Sequence, residues 1–99
     1  MLHILNKSAS NSTALQTCLQ FVQKNDAIIL IENAVFAAHK CPQLTWRESF
    51  GGEVKVYVLQ EDLAARGLTE SDCLEFIEVI DYQGFVELVC QHKPIKSWF

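Results

Sequence analysis

Four cysteines are the side chains of this chain best suited to covalent chemistry. Cys18, Cys41, Cys73 and Cys90 lie 23, 32 and 17 residues apart, so the sequence has no CxxC pair and no zinc-ligand spacing. A nucleophilic thiol needs access to solvent and a lowered pKa, which a helix N-terminus or neighbouring cations provide. The four positions differ in both respects, and they therefore differ in the chemistry that they predict.

Cys41 and Cys18 are the two candidates for a reactive thiol. Cys41 follows Lys40 in an irregular stretch, where it is either an accessible reactive thiol or an ordinary loop cysteine. Cys18 lies on the apolar stripe of a predicted helix, a position at which a thiol is usually inert. Cys73 follows an aspartate whose charge would raise its pKa, and Cys90 adjoins the apolar face of the last predicted helix. Both of these are interpreted as structural.

Acidic residues at the ends of predicted strands suggest a second kind of site. They are Glu32, Glu61, Asp62 and Asp81. A magnesium site of the phosphoacceptor type needs carboxylates after the first and third strands, whereas the first strand here ends in Asn6-Lys7. Helix capping and solvation explain these acids better, so we expect no metal.

Nucleotide binding and serine-triad chemistry lack their sequence signals. No GxGxxG and no GxxxxGK[ST] follows a strand, and no GxSxG is present. The three histidines have no suggestive context, and we interpret them as packing or surface residues (His3, His39 and His92). The sequence therefore predicts no cofactor.

Apolar strand-like runs alternate with helical periodicities along the chain. Strands are predicted at 2–5, 27–31, 54–59 and 75–80, and the tail 95–99 is expected to be a short edge strand. This alternation predicts one α/β domain over 1–99, a three-layer α/β/α fold with a mainly parallel sheet of four to five strands.

Helices are predicted between these strands. The first has Leu15, Cys18, Leu19 and Val22 on one face. A second covers 34–38 with Asn33 as N-cap, and a third begins at Glu61-Asp62 and ends at Arg66 and Gly67. Asp81 is expected to cap the fourth, whose apolar face comprises Tyr82, Phe85, Val86 and Val89.

The composition indicates contact with other chains. Hydrophobic residues make up 49% of the sequence, its mean hydropathy is +0.11, and only 20% is charged, which is more apolar material than a small monomer easily buries. We expect the helices at 34–38 and 82–89 to provide the contact surface. An apolar but monomeric domain is the alternative.

Charge and hydropathy also limit the partners and the compartment. The net charge is −4 and the eight basic residues form no run, so direct nucleic-acid binding is not expected. No stretch is long and apolar enough for a membrane span, and no signal peptide is recognisable. The chain is therefore expected to be cytoplasmic, with its cysteines as thiols.

Several segments, in order, carry the pattern of one known family. They are Met1 to Ser8, Ala27 to Glu32, Val56 to Leu59 with Asp62-Leu63 and Ala65-Arg66-Gly67, Asp81-Tyr82 with Phe85-Val86 and Leu88, and Trp98. Together these segments resemble the TusB/DsrH family, the small subunits of bacterial sulfur-relay complexes. The segment 56–67 is the most similar, and the resemblance extends over essentially the whole chain, although residues 39–53 match poorly and Asn33-Ala34 departs from the family pattern.

This resemblance implies a DsrEFH-like fold and assembly with two paralogous subunits, one TusC/DsrF-like and one TusD/DsrE-like, in a heterohexamer with two copies of each. In the TusBCD branch the complex relays persulfide sulfur from a small carrier protein toward 2-thiouridine at the tRNA wobble position. In the DsrEFH branch it serves sulfur oxidation. The principal sulfur-carrying cysteine belongs to the TusD/DsrE-like partner, so the present subunit is expected to be mainly structural.

Cys18 leaves a second hypothesis open. DsrH-like members have a cysteine at the corresponding place in the first helix, before a leucine like Leu19. The resemblance therefore implies Cys18 as a possible persulfide carrier, although a buried thiol there would be a poor nucleophile. An enzyme that uses Cys18 or Cys41, and a standalone regulatory or ligand-binding domain, are the other hypotheses.

Overall fold

The computed structural model describes residues 1–8, 13–39 and 54–98. In these residues five strands form one sheet. Strands β1 and β2 are buried at every position, as their continuous apolar sequences require. The strands are β1 (Leu2–Leu5), β2 (Ala27–Leu30), β3 (Lys55–Leu59), β4 (Ile77–Ile80) and β5 (Ile95–Trp98).

The sheet has the order β4-β3-β2-β1-β5, and all neighbouring strands are parallel. The predicted fold class is therefore confirmed, and the tail forms an edge strand as expected. Leu2 is in register with Ala27 on one side and with Ile95 on the other. The N-terminal ends of β2, β1 and β5 are thus level, and all carboxyl ends lie at the opposite edge.

In the described part of the chain, three helices lie on one face of the sheet. They are α1 (Ala14–Phe21), a 3₁₀ helix (Glu32–Ala38) and α2 (Gln60–Ala65). Their buried side chains pack with the strand residues of that face in one core cluster, in which α1 contributes Leu15, Cys18 and Leu19 as the periodicity predicts. A short 3₁₀ turn (Glu70–Asp72) follows α2.

The opposite face is covered by α3 (Tyr82–Gln91). Leu88 of this helix is buried against Leu2 and Ile29, and Phe85 and Val89 pack beside it in a second core cluster. Helices on both faces of a parallel sheet make the three-layer arrangement. None of the helices in the described ranges is long and apolar enough to cross a membrane.

The ends of α2 and α3 follow the sequence signals. Glu61 and Asp62 lie in the first turn of α2, where negative charge is favourable. After this helix, Gly67 adopts φ of +73°, a conformation that favours glycine. Asp81 caps α3, because its carboxylate accepts a hydrogen bond of 2.8 Å from the Gly84 amide.

Two local predictions were wrong. The segment after β2 is a 3₁₀ helix that begins at Glu32, so Asn33 does not cap it; instead the Asn33 side-chain oxygen accepts a hydrogen bond from Arg66 Nε. Strand β4 begins at Ile77 rather than at residue 75, because residues 75 and 76 form a turn in which the Ile77 amide donates to the Leu74 carbonyl oxygen at 3.1 Å. The predicted irregular loop with Cys41 lies mostly outside the described residues.

The predicted apolar face of α3 was only partly correct. Phe85 and Val89 pack on the sheet, whereas Tyr82 and Val86 are exposed. The apolar side chains of this helix occupy more of its circumference than one contact with a sheet can cover, and the sheet packs on the side that includes Leu88.

Candidate functional site

Cys18 lies on the inner side of α1, and its side chain is part of the core cluster between this helix and the sheet. Its side chain has no exposed surface and packs among residues that include Leu15 and Leu5. Burial, together with the nearby negative charge of Asp26, raises the pKa of the Cys18 thiol to about 12. In this conformation the thiol is protonated at neutral pH and closed to a protein-bound persulfide.

The other cysteines occupy three different settings. Cys73 is buried, and its thiol lies 3.7 Å from the Thr69 carbonyl oxygen, to which it donates. Cys90 is exposed on α3, in contrast to the structural position expected of it. No two cysteines of the described segments are joined in a disulfide. Cys41 falls outside those segments, so its proposed reactivity stays a prediction.

The acidic residues at the carboxyl edge of the sheet bind backbone amides. Asp62 accepts a hydrogen bond of 2.6 Å from the Glu32 amide, and Glu61 accepts one of 3.2 Å from the Tyr82 amide. Because each carboxylate serves the start of a neighbouring element, these residues fix helix positions rather than converge on one point. Within the described ranges no group of three metal-binding side chains occurs.

A partly buried polar network around His3, at the opposite edge of the sheet, was missed by the sequence reasoning. Asp26 precedes β2, and its carboxylate lies 2.9 Å from His3 Nε2 and 3.0 Å from the Met1 amino group. The backbone N–H of Gln23 donates to the same carboxylate at 2.9 Å. The indole N–H of Trp98 donates to His3 Nδ1 at 3.0 Å, which ties β5 to β1.

The pKa of Asp26 reflects this network. Burial would raise it, but hydrogen bonds from His3, the Gln23 amide and the N-terminus outweigh burial and hold the pKa of this carboxyl below its usual range. No sequence motif indicates the network, because it depends on the register of β1 with β2 and β5. Only the polar His3 within an apolar strand was a signal.

Exposed apolar side chains lie on both helical layers; besides the residues described next, Met1, Phe21 and Ile95 are exposed in the described part of the chain. Tyr82 and Val86 lie one helical turn apart on the outer side of α3, with 59% and 48% of their surface exposed. Phe36 is 47% exposed on the 3₁₀ helix, which packs on the other face of the sheet. Tyr82, Val86 and Phe36 belong to the two helices from which a contact surface was expected.

Comparison with known proteins decides the family. A family model described as "DsrH like protein" matches residues 7–95 of the chain. The chain belongs to the DsrH-like family. A protein named TusB from Pectobacterium parmentieri is 35% identical over 98 residues, which cover 99% of this chain and all of that relative. Protein TusB of Escherichia coli K12 is likewise 35% identical, over 99 residues with the same coverage.

Solved structures confirm the fold of this DsrH-like chain. The ychN protein from E. coli superposes with a TM-score of 0.77 and 13% identity, covering 97% of each chain. The solution structure of Tm0979 from Thermotoga maritima gives a TM-score of 0.67 and 26% identity, covering 94% of this chain and 95% of that one. The resemblance read from the sequence is therefore correct, and it places the chain in a family of sulfur-relay subunits.

Proposed function

We propose that this DsrH-like chain is a mainly structural subunit of a cytoplasmic sulfur-relay complex of the TusBCD type. The complex would support persulfide transfer for 2-thiouridine formation at the tRNA wobble position. The full-length identity of 35% to proteins named TusB supports this branch most directly.

The setting of Cys18 supports a structural rather than a sulfur-carrying role. Sulfur passes between proteins when a thiolate attacks the outer sulfur of a persulfide, so the receiving thiol must be deprotonated and accessible. Cys18 is fully buried, and its pKa is raised to about 12. The principal carrier cysteine would then belong to the TusD/DsrE-like partner, which would receive sulfur from a small carrier protein.

Exposed apolar side chains on both helical layers support association with partner subunits. Phe36 lies on one helical layer, and Tyr82 and Val86 lie on the other. Contact with a TusC/DsrF-like and a TusD/DsrE-like subunit in a heterohexamer would remove these side chains from water. In this proposal the chain itself touches neither tRNA nor a membrane.

Two alternatives follow from the DsrH side of the family. The complex could instead serve sulfur oxidation, the function implied for the DsrEFH branch. The matching family model carries the DsrH name, which supports this alternative. Cys18 could also carry sulfur, but α1 would first have to move away from the sheet to expose the thiol.

A gene deletion in the organism that encodes the chain separates these functions. We expect cells without the chain to lose 2-thiouridine from the tRNAs that carry it, as measured by mass spectrometry of digested tRNA. The wild-type gene and Cys18→Ala should both restore the nucleoside. Cys90→Ala serves as the matched control, because Cys90 is exposed and outside the core clusters.

Two results would change the proposal. Unaltered 2-thiouridine in the deletion strain would contradict the tRNA branch and favour sulfur oxidation. Failure of Cys18→Ala alone, with the variant still present in a purified complex of normal mass, would instead favour Cys18 as a persulfide carrier.

A further inference from the structure

None of the functions discussed above uses the polar network around His3. We propose that His3 is a proton-sensitive latch for the edge strand β5: neutral His3 holds Trp98, and protonation of His3 releases it. This inference does not depend on the proposed function.

Both neighbours of the His3 ring select the same tautomer. The indole N–H of Trp98 can only donate, so His3 Nδ1, at 3.0 Å, must accept and carry no proton. The Asp26 carboxylate is an acceptor, so Nε2, at 2.9 Å, must donate to it. His3 is therefore held neutral, with its proton on Nε2.

Protonation changes one of these contacts and keeps the other. A second proton would sit on Nδ1 and face the Trp98 N–H, so two donors would oppose each other where a hydrogen bond had been. The contact of Nε2 with Asp26 would persist as an ion pair. The imidazole thus exchanges its bond to β5 for charge pairing with Asp26.

The charged groups around His3 come from several elements. Asp26 and the Met1 amino group lie on one side, and they pair with each other at 3.0 Å. From β5, Lys96 is in register with His3, and its ammonium lies 5.3 Å from the Trp98 ring centroid. Strand β2 places apolar Ile28 beside His3, and the buried thiol of Cys18 on α1 lies close enough to Asp26 to sense its charge.

Strand β5 is the element expected to respond. Among the described strands it pairs with β1 alone, and its first three residues are exposed, so Trp98 is the side chain that anchors it. The Trp98 ring stacks on Phe21 and on His3, each at 6.1 Å between ring centroids. Loss of the hydrogen bond to His3 would remove a directional contact of this anchor.

Amide hydrogen exchange measured by mass spectrometry tests the latch in the full chain. Protection factors for the peptide containing 95–98, corrected for intrinsic exchange, are compared at pH 8 and pH 5. Asp26 stays ionised over this range because its pKa is below the usual value. We expect protection in β5 to fall at least about fivefold at pH 5, the effect of one lost hydrogen bond, while β2 and β3 stay unchanged.

Two substitutions isolate the titrating atom. His3→Asn places an amide oxygen where Nδ1 accepts, so β5 should be protected equally at both pH values. Trp98→Phe keeps a stacked ring but lacks the N–H, so β5 should be weakly protected at both. Equal protection of wild-type β5 at pH 8 and pH 5 would overturn the latch, whether or not either variant folds. Nitrogen chemical shifts that place the neutral proton on Nδ1 would also overturn it.

Discussion

At the scale of single residues, the reactivity of a cysteine in this chain depends on its burial. Cys18 and Cys90 both lie on helices, but Cys18 is enclosed by the core and Cys90 faces solvent. The sequence pattern located Cys18 on an inward stripe, and the structure shows why this position disfavours thiolate chemistry. The desolvation of a buried thiolate raises its pKa, here to about 12.

This difference predicts selective alkylation of the folded chain. With a pKa of about 12, about one Cys18 side chain in ten thousand is a thiolate at pH 8. We expect iodoacetamide to modify Cys90 in the native protein and to modify Cys18 only after urea is added, as read by peptide mass spectrometry. Equal labelling rates for the two cysteines in the native chain would show that α1 opens readily.

Asp26 should stabilise the fold at neutral pH. Because its folded pKa is lowered, its contribution is present above the unfolded pKa, about 3.9, and is lost as the pH falls through the folded value. Asp26→Asn should lower the free energy of unfolding by about 2 kcal/mol at pH 7, and by progressively less below about pH 4.

Urea denaturation at pH 7 and at pH 3 measures this loss of stability in Asp26→Asn. Glu87→Gln is the matched control, because it makes the same change of carboxylate to amide at an exposed position of α3. The prediction fails if Asp26→Asn is as stable as Glu87→Gln at pH 7, or if its deficit is undiminished at pH 3.

At the scale of elements, the strands and most helix ends were predictable. Continuous apolar runs identify β1 and β2, and Asp81 and Gly67 mark helix ends by local hydrogen bonding and backbone conformation. No local signal distinguishes the 3₁₀ form of Glu32–Ala38 from an α-helix, and its contacts, such as Asn33 with Arg66 just after α2, are made with residues distant in sequence. Local sequence determines local features, whereas register and packing depend on distant residues.

Gly67 provides a test of helix termination. Its φ of +73° is unfavourable for a residue with Cβ, although an added Cβ would meet no atom within 4 Å. Gly67→Ala should therefore lower the free energy of unfolding by about 1 kcal/mol through backbone strain alone. Gly67→Asn should cost less, because asparagine tolerates this conformation. Urea denaturation of both variants checks the prediction, and equal costs would contradict it.

At the scale of the whole molecule, the two helical layers leave apolar side chains exposed on opposite faces. The apolar composition predicted such surfaces, and the helical segments 34–38 and 82–89 were expected to carry them. The sequence could not predict which residues face outward, because an apolar stripe as wide as that of α3 fits the sheet in more than one rotation. Tyr82 and Val86 are the residues left outside.

Val86 allows assembly to be separated from stability. Val86→Glu adds a charge at an exposed position, so the free energy of unfolding should stay within about 0.5 kcal/mol of the wild type. If α3 contacts a partner subunit, the same change should reduce co-purification of that partner at least about tenfold, because a carboxylate would be buried at the interface. Gln83→Glu is the control on the same helix, and an equal loss with Gln83→Glu would point to net charge rather than to this surface.

The proposed role as a structural subunit is tested most directly by co-expression of the tagged chain with its TusC/DsrF-like and TusD/DsrE-like partners. Native mass spectrometry of the purified product gives the subunit composition. We predict one complex with two copies of each of the three chains. A well-folded monomer that associates with neither partner would contradict the proposal.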